Sequence, residues 1–353
     1  MRIKTWIKKP FVLILLLALL TFIFTEVAAS FPQITNRFYS SGIYPLLASF
    51  LSFFSGLFPF SLDDLFYILL ILWLIILLII PLFRRIKWAK SFRLIISTLG
   101  VTYIAFYWLW GFNYYRPGLN QRLALNEAQA DTTVLMNTFR WLIDEVNETY
   151  TPVDSVDKDQ WVTIIENEYL RHVELLKIDS RLCKTHPKQM TFSRFFASAT
   201  ISGYYGPFFS EVHLNRHLLA VELPLVLAHE LAHRYGITSE AEANFYAWYV
   251  CTHSNNQQMK YSANLYLLRY FAYSTYQLEG FKDAVSNIRQ EVKDDYNSVT
   301  KHWMTLMNRN VEEVATAVND AYLKSNKIEQ GIADYEGVLK CIMDYLNTYP
   351  TVE

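Results

Sequence analysis

Three long stretches of mostly apolar residues dominate the first third of the chain. They run from Phe11 to Ala29, from Leu65 to Phe83 and from Leu94 to Phe112, and the last two each hold 19 residues without a charge. A helix needs about 20 apolar residues to cross a bilayer. The pattern therefore predicts three transmembrane helices, at about 11–29, 65–83 and 94–112.

A fourth uncharged segment, from Ile43 to Phe60, is interrupted by Pro45, Gly56 and Pro59. Proline and glycine inside an apolar run shorten the helix that the run can form. We interpret residues 43–60 as a re-entrant or interfacial segment rather than a fourth span.

Beyond the apolar segments, the spacing of hydrophobic residues becomes mainly helical. Thr132–Tyr150 and Trp161–Leu176 carry helical stripes, and the helical pattern resumes at Leu218 and continues almost to the end of the chain. Thr200–Asn215 differs, because its second half alternates as in a strand, and Pro207 restricts that strand to an edge or a bend. The predicted fold is mainly α with a small β-sheet.

Charge divides the chain at the same place as hydropathy. Residues 1–112 hold ten Lys or Arg and three acids, a net charge of +7, which leaves 22 basic and 30 acidic residues, a net charge of −8, for residues 113–353. We therefore predict a basic transmembrane module over 1–112 and an acidic domain over 113–353. An acidic domain without a basic cluster excludes nucleic acid as an expected partner.

The basic residues also predict the orientation in the membrane. Arg2, Lys4, Lys8 and Lys9 precede the first span, and five more basic residues lie between Arg84 and Arg93. Basic loops favour the cytoplasmic side, so the domain is expected on the extracytoplasmic side of the cytoplasmic (inner) membrane. The first 29 residues also resemble a signal peptide that would be cleaved after Ala29. Cleavage would leave the domain on the same side, and we favour an uncleaved anchor.

The chemistry of the domain is indicated by the run His229-Glu230-Leu231-Ala232-His233. Residues four apart lie on one face of a helix, so the two imidazoles can bind one ion while Glu230 lies beside the open coordination position. A catalytic zinc takes three protein ligands and a water molecule. The sequence therefore predicts a zinc site with a third ligand nearby.

Two carboxylates compete for the third position, Glu240 and Glu242. Ser239 and Glu242 have the spacing of a capping box, which gives Glu242 a structural role and leaves Glu240 for the metal. Asn244 lies one turn beyond Glu240, where its amide can accept the second ring N–H of a ligand histidine. Gly236 is expected to end the first helix in the left-handed conformation.

These residues resemble the motif of the gluzincin metallopeptidases, an HExxH helix followed by a helix with an E-x-x-x-D or E-x-x-x-N motif. The resemblance implies His229, His233 and Glu240 as zinc ligands, Glu230 as general base and Asn244 as a partner of a ligand. The connection is short, with six residues between His233 and Glu240. Most of the chain also resembles an uncharacterised bacterial family, a domain of unknown function with an expected membrane-bound zinc peptidase site. Features that carry this second resemblance are the three hydrophobic segments, the Gly203–Glu211 stretch, and a tail with Asn319, Gly331 and Tyr335.

The expected activity is zinc-assisted hydrolysis of peptide bonds, with envelope or secreted proteins as substrates. The alternatives are a non-catalytic membrane receptor or scaffold stabilised by zinc, and an amidase that acts on cell-wall peptide. Further candidates for contact with the substrate or the transition state are Gly206, Phe208, His213 and Tyr270. The three cysteines, Cys183, Cys251 and Cys341, form no metal-binding pattern and at most one disulfide.

Overall fold

The computed structural model describes residues 10–129, 131–153, 158–182 and 184–350. The basic residues Arg2, Lys4, Lys8 and Lys9, and Cys183, lie outside this range. The chain forms two compact units, one of Met1–Arg116 with Gly206–Glu211 and the other of Pro117–Tyr205 with Val212–Glu353.

The first unit is helical. Its elements in chain order are α1 (Pro10–Ser30), α2 (Pro32–Thr35), a π-helix (Asn36–Ile43), α3 (Tyr44–Gly56), α4 (Leu62–Ile79), a 3-10 helix (Ile80–Phe83), α5 (Trp88–Leu109) and a second 3-10 helix (Gly111–Tyr115).

Three helical stretches of the first unit are long and apolar enough to cross a membrane. They are Pro10–Ser30, Leu62–Phe83 and Trp88–Leu109, which overlap the three predicted spans. The ambiguous segment forms α3, with Pro45 in its first turn and Gly56 as its last residue. α3 continues directly from α2 and the π-helix, and among the described residues this stretch is not one of the helices that are long and apolar enough to cross a membrane.

The amino end of α4 is held by acidic side chains within the first unit. The Glu211 carboxylate accepts hydrogen bonds from Ser61 Oγ at 3.1 Å and from the backbone N–H groups of Leu62 at 3.2 Å and Asp63 at 3.0 Å. The Asp63 carboxylate in turn accepts from the N–H groups of Phe208 and Phe209, each at 3.2 Å. The segment Gly206–Glu211 and the start of α4 therefore cap each other.

The second unit contains the remaining elements. In chain order they are α6 (Leu119–Leu123), α7 (Thr132–Thr149), α8 (Lys158–Arg171), α9 (Val173–Leu176), β1 (Lys188–Gln189), α10 (Ser193–Ser198), β2 (Gly203–Gly206), β3 (Glu211–Leu214), α11 (Leu223–Arg234), α12 (Glu240–Thr252), α13 (Gln257–Thr275), α14 (Phe281–Ser286), α15 (Gln290–Leu306), α16 (Arg309–Ser325), a 3-10 helix (Gly331–Gly337) and α17 (Val338–Thr348).

The core of the second unit surrounds α12. This helix packs against α8, α11, α13 and α17 and against the 3-10 helix Gly331–Gly337. The apolar stripe that predicts α7 is buried as expected, because Phe139, Leu142, Ile143 and Val146 all lie in the main hydrophobic cluster. The fold is mainly helical, as predicted.

The small sheet has three strands in the order β1-β3-β2. β1 runs parallel to β3, with Lys188 opposite His213 and Gln189 opposite Leu214. The interpretation of the stretch after Pro207 as an edge strand is wrong in this respect, because β3 is the middle strand. Pro207 instead lies in the turn before β3, and β2 forms the edge.

Candidate metal centre

The two histidines of the motif lie near the carboxyl end of α11, a helix that is almost completely buried. His233 lies four positions after His229 in the helix, which places the two residues on one face. Their Nε2 atoms are 3.1 Å apart. The predicted pairing of the two imidazoles is therefore present.

A left-handed residue ends α11 three positions after the second histidine. Gly236 has a φ of +77°, which glycine adopts without steric cost. The N–H of Gly236 donates to the His233 carbonyl at 2.9 Å and that of Ile237 donates to the Ala232 carbonyl at 3.1 Å. This pair of bonds is the Schellman motif, and it turns the chain back at the position expected from the sequence.

α12 begins at Glu240, immediately after its N-cap. Ser239 Oγ accepts from the Glu242 N–H at 3.3 Å, which confirms Ser239 as the cap. Glu240 Oε2 lies 3.1 Å from His229 Nε2 and 3.4 Å from His233 Nε2. The reversal of the chain thus brings the third predicted donor to the other two.

The three donor atoms match the requirements of a metal ion. A tetrahedral zinc with bonds of about 2.0–2.1 Å separates neighbouring ligand atoms by about 3.3 Å. The observed separations are 3.1, 3.1 and 3.4 Å. Among the described residues, His229, His233 and Glu240 form the one group of three or more His, Cys, Asp or Glu whose donor atoms lie within 4.8 Å of one another. This group can hold a metal ion.

The second nitrogen of His233 fixes the orientation of its ring. His233 Nδ1 donates to the Ile237 carbonyl at 2.7 Å, which leaves Nε2 with the lone pair that a metal requires. Burial lowers the pKa of His229, and Asn244 lies close enough to oppose that shift to a small extent. Neither amide atom of Asn244 forms a hydrogen bond of normal geometry, nor does His229 Nδ1. The role of Asn244 as a partner of His229 stays a prediction.

Glu240 and His233 each favour the charged form of the other. Burial alone would lower the pKa of His233, but the Glu240 carboxylate and hydrogen bonds to the charged ring raise it to about 9. Burial would raise the pKa of Glu240, yet the two histidines hold it well below its ordinary value. Burial lowers the pKa of His229, which favours its neutral form. Since a metal takes neutral imidazoles, its binding must release the proton of His233.

Glu230 is buried beside this group without a matched partner. Its side chain is 4% exposed, and Oε2 forms no hydrogen bond within the described residues. Burial, opposed by the charge of His233, raises the pKa of Glu230 to about 8. A buried carboxyl oxygen without a hydrogen-bond donor is costly. The position of Glu230 therefore lowers the stability of the folded protein.

β2 lies against Glu230. A Cβ atom on Gly203 would be 2.8 Å from Glu230 Cγ, closer than carbon atoms approach in proteins. The lack of a side chain at Gly203 therefore provides the space for the carboxylate. The sequence prediction did not assign this role to Gly203, because no local pattern connects a glycine to a residue 27 positions later.

Glu242 has the structural role that the sequence predicts, but with a different partner. Its carboxylate accepts from Arg122 Nη2 at 2.7 Å and from the Leu119 N–H at 2.8 Å. It therefore holds α6 rather than closing a capping box on Ser239. The Arg122 and Glu242 side chains are 3% and 14% exposed.

The four further candidates lie in three environments. Gly206 and Phe208 belong to the first unit, where Gly206 lies against Asp63 and the Phe208 ring is 4.5 Å from that of Phe66. His213 is buried in β3, and its ring stacks on Tyr204 at 4.1 Å. Contact of these three residues with a substrate stays a prediction.

Tyr270 contacts its neighbours on α13. Its hydroxyl accepts from Arg269 Nη2 at 2.9 Å and lies 3.3 Å from the Tyr266 hydroxyl. Burial raises the pKa of Tyr266 and of Tyr335 well above the ordinary value, and the charge of Glu240 contributes in the same direction. Contact of Tyr270 with a substrate stays a prediction.

Comparison with known families agrees with the second resemblance drawn from the sequence. A family model described as Protein of unknown function (DUF3810) matches residues 39–343. Because the match covers most of the chain, the chain belongs to this family. Comparisons with curated proteins and with solved structures give no match.

The first testable prediction concerns the ligands of the metal. Purified protein should hold about one zinc ion per chain, since three donors suit a catalytic zinc site. Glu240→Ala should lose the metal. Glu242→Ala and the milder Glu242→Gln should retain it, while their stability falls, because removal of one partner from a buried ion pair costs about 3–5 kcal/mol. Metal analysis and thermal unfolding measure the two effects. Loss of zinc in the Glu242 variants with retention in Glu240→Ala would reverse the ligand assignment.

Proposed function

We propose that this member of the DUF3810 family is a membrane-anchored zinc metallopeptidase that hydrolyses peptide bonds. The observation that best supports the proposal is the combination of a three-donor group with the buried carboxyl group of Glu230, whose Oε2 has no hydrogen-bond partner among the described residues. Structural zinc sites are closed by four protein ligands, whereas catalytic sites have three. A site that only held a structural ion would also have no use for Glu230.

His229, His233 and Glu240 would hold the zinc. When bound, zinc supplies Lewis acidity, which polarises a carbonyl group and lowers the pKa of water from 15.7 to about 7. Glu230 then acts as the general base. Its Oε2 takes a proton from the attacking water molecule and delivers it to the leaving amine. Burial raises the pKa of Glu230, and a divalent cation beside it would favour the charged carboxylate, the form that accepts a proton.

The position of β2 supports a peptide as the substrate. β2 is an edge strand, and Gly203 on this strand lies against Glu230. Edge strands bind extended peptides by adding a strand to the sheet. A peptide bound in this way would run past the general base with its backbone held in an extended conformation.

The membrane helices provide the anchor. The Gly206–Glu211 turn binds the Ser61 end of α4, so this turn lies on the side of the membrane opposite to the Arg84–Arg93 loop. Basic loops favour the cytoplasm. We therefore place the turn on the extracytoplasmic side of the cytoplasmic membrane and expect envelope or secreted proteins as substrates.

The second prediction distinguishes an enzyme from a zinc-stabilised scaffold. Glu230→Gln preserves the size of the side chain and the metal ligands but removes the base, so hydrolysis should fall by about 10²–10⁴-fold. Zinc content and thermal stability should not fall. Assays on peptide mixtures, casein, cell-wall peptide and membrane proteins, with the two proteins side by side, measure the effect. Equal behaviour of wild type and Glu230→Gln in all of them would favour the scaffold, and cleavage of cell-wall peptide alone would favour the amidase.

The third prediction tests the contact between β2 and the general base. Gly203→Ala should retain zinc but lower the hydrolysis rate, since displacement of a reacting group by about 1 Å can cost 10²-fold. Gly118→Ala is the matched control, because a Cβ at Gly118 has no neighbour within 4 Å. Wild-type rates in Gly203→Ala would show that Glu230 does not depend on this contact.

The fourth prediction concerns orientation in the membrane. In a Cys183→Ser background, a membrane-impermeant maleimide should label Lys301→Cys in intact spheroplasts and should not label Arg85→Cys, although both side chains are exposed. The described cysteines, Cys251 and Cys341, have little reactivity because burial raises the pKa of both thiols. Both variants should react after detergent treatment. Labelling of Arg85→Cys alone in intact spheroplasts would place the domain in the cytoplasm.

A further inference from the structure

The 3-10 helix Gly331–Gly337 contacts the start of α12, where the third metal donor lies. Asp334 Oδ2 accepts hydrogen bonds from Ser239 Oγ at 2.8 Å, from the Glu240 N–H at 2.7 Å and from the Ala241 N–H at 3.3 Å. The first amides of a helix have no partner within the helix. One carboxylate oxygen from a residue 94 positions later satisfies two of them.

The backbone of this segment also packs closely on α12. A Cβ atom added to Gly337 would lie 3.0 Å from Ala241 Cβ. The segment is therefore in contact with the first turn of α12 at two positions, Asp334 and Gly337. Asp334 is half-buried, and its charge complements the positive end of the helix dipole.

We propose that Asp334 is a positioning residue that fixes the metal ligand Glu240. The inference rests on the metal site of the proposed function and not on hydrolysis. The shortest of the three hydrogen bonds is to the amide of Glu240 itself, so Asp334 holds the backbone from which the ligand carboxylate extends. Glu240 is the first residue of its helix, and without this bond its amide would depend on solvent.

An ordinary helix cap would stabilise α12 without affecting the metal. The positioning role predicts more, because small shifts of the Glu240 backbone change the triangle of 3.1–3.4 Å separations among the donor atoms. Loss of a group that orients a metal ligand typically lowers metal affinity by about 10–100-fold. Metal affinity, compared at equal loss of stability, therefore separates the two roles.

The fifth prediction uses zinc competition with a chromophoric chelator on the full-length protein in detergent. Asp334→Ala should bind zinc about 10–100-fold more weakly than wild type. Asp334→Asn should be intermediate, because its amide oxygen still accepts one hydrogen bond, and it serves as the test if Asp334→Ala does not fold.

Two matched controls are available. Glu336→Ala removes an exposed acid from the same segment, and Asn256→Ala removes the N-cap of the neighbouring helix α13. Both should bind zinc as wild type does, although Asn256→Ala should lose stability, by about 0.5–2 kcal/mol.

Four results would contradict the positioning role, the metal site or the peptidase. Wild-type zinc affinity in Asp334→Ala, or an equal loss of affinity in Asn256→Ala at the same stability, would overturn the positioning role alone. Absence of zinc from the wild type would remove the metal site and this inference together. Tight zinc binding without any hydrolysis would contradict the proposed peptidase function. The zinc affinity of Asp334→Ala would still test the role of Asp334 in that case.

Discussion

The reversal of the chain at Gly236 is the constraint on which the metal site depends. Only six residues connect His233 to Glu240, and within them one helix must end and the next must begin in another direction. The left-handed Gly236 makes this possible, and the same turn supplies the Ile237 carbonyl that orients the His233 ring. Ala243 and Ala247, both fully buried, let α12 pack closely on its neighbours. A residue with a Cβ at position 236 would strain this turn, which orients the His233 ring and brings Glu240 close to it.

Burial of the donor group has a cost in desolvation. Two imidazoles and two carboxyl groups lie within the core, and pairing of buried charges repays their desolvation only in part. The Glu240 carboxylate favours the protonated form of His233. A divalent cation would replace that proton and supply a second positive charge near Glu230. Metal binding would therefore weaken as the pH falls below the pKa of His233, because protons and metal compete for the same nitrogen.

The helices, the turn at Gly236 and the three donor residues of the site could be predicted from the local sequence. The three apolar stretches, the stripe of α7, Gly236 and the Ser239 cap were correctly predicted because each depends on residues within one or two turns. The partners of these elements could not be predicted in this way. Arg122, Gly203 and Asp334 approach Glu242, Glu230 and Glu240 across 120, 27 and 94 positions, and a single sequence contains no periodic signal for such contacts. The capping-box interpretation of Glu242 failed for the same reason.

The Gly206–Glu211 turn has a structural role that its position in the sequence does not reveal. Its place shortly before the HExxH helix suggests a role in substrate binding for Gly206 and Phe208, which stays a prediction. In the first unit, Glu211 of this turn accepts a hydrogen bond from the first turn of α4. Asp63 of α4 accepts one from the backbone of the turn, which explains an acidic residue at the start of an apolar helix. Ionisable residues in membrane segments usually have a specific partner, and here the partner is the backbone of the turn. Gly203 thus makes room for the Glu230 side chain, and the turn that begins at Gly206 binds the start of α4 within the first unit.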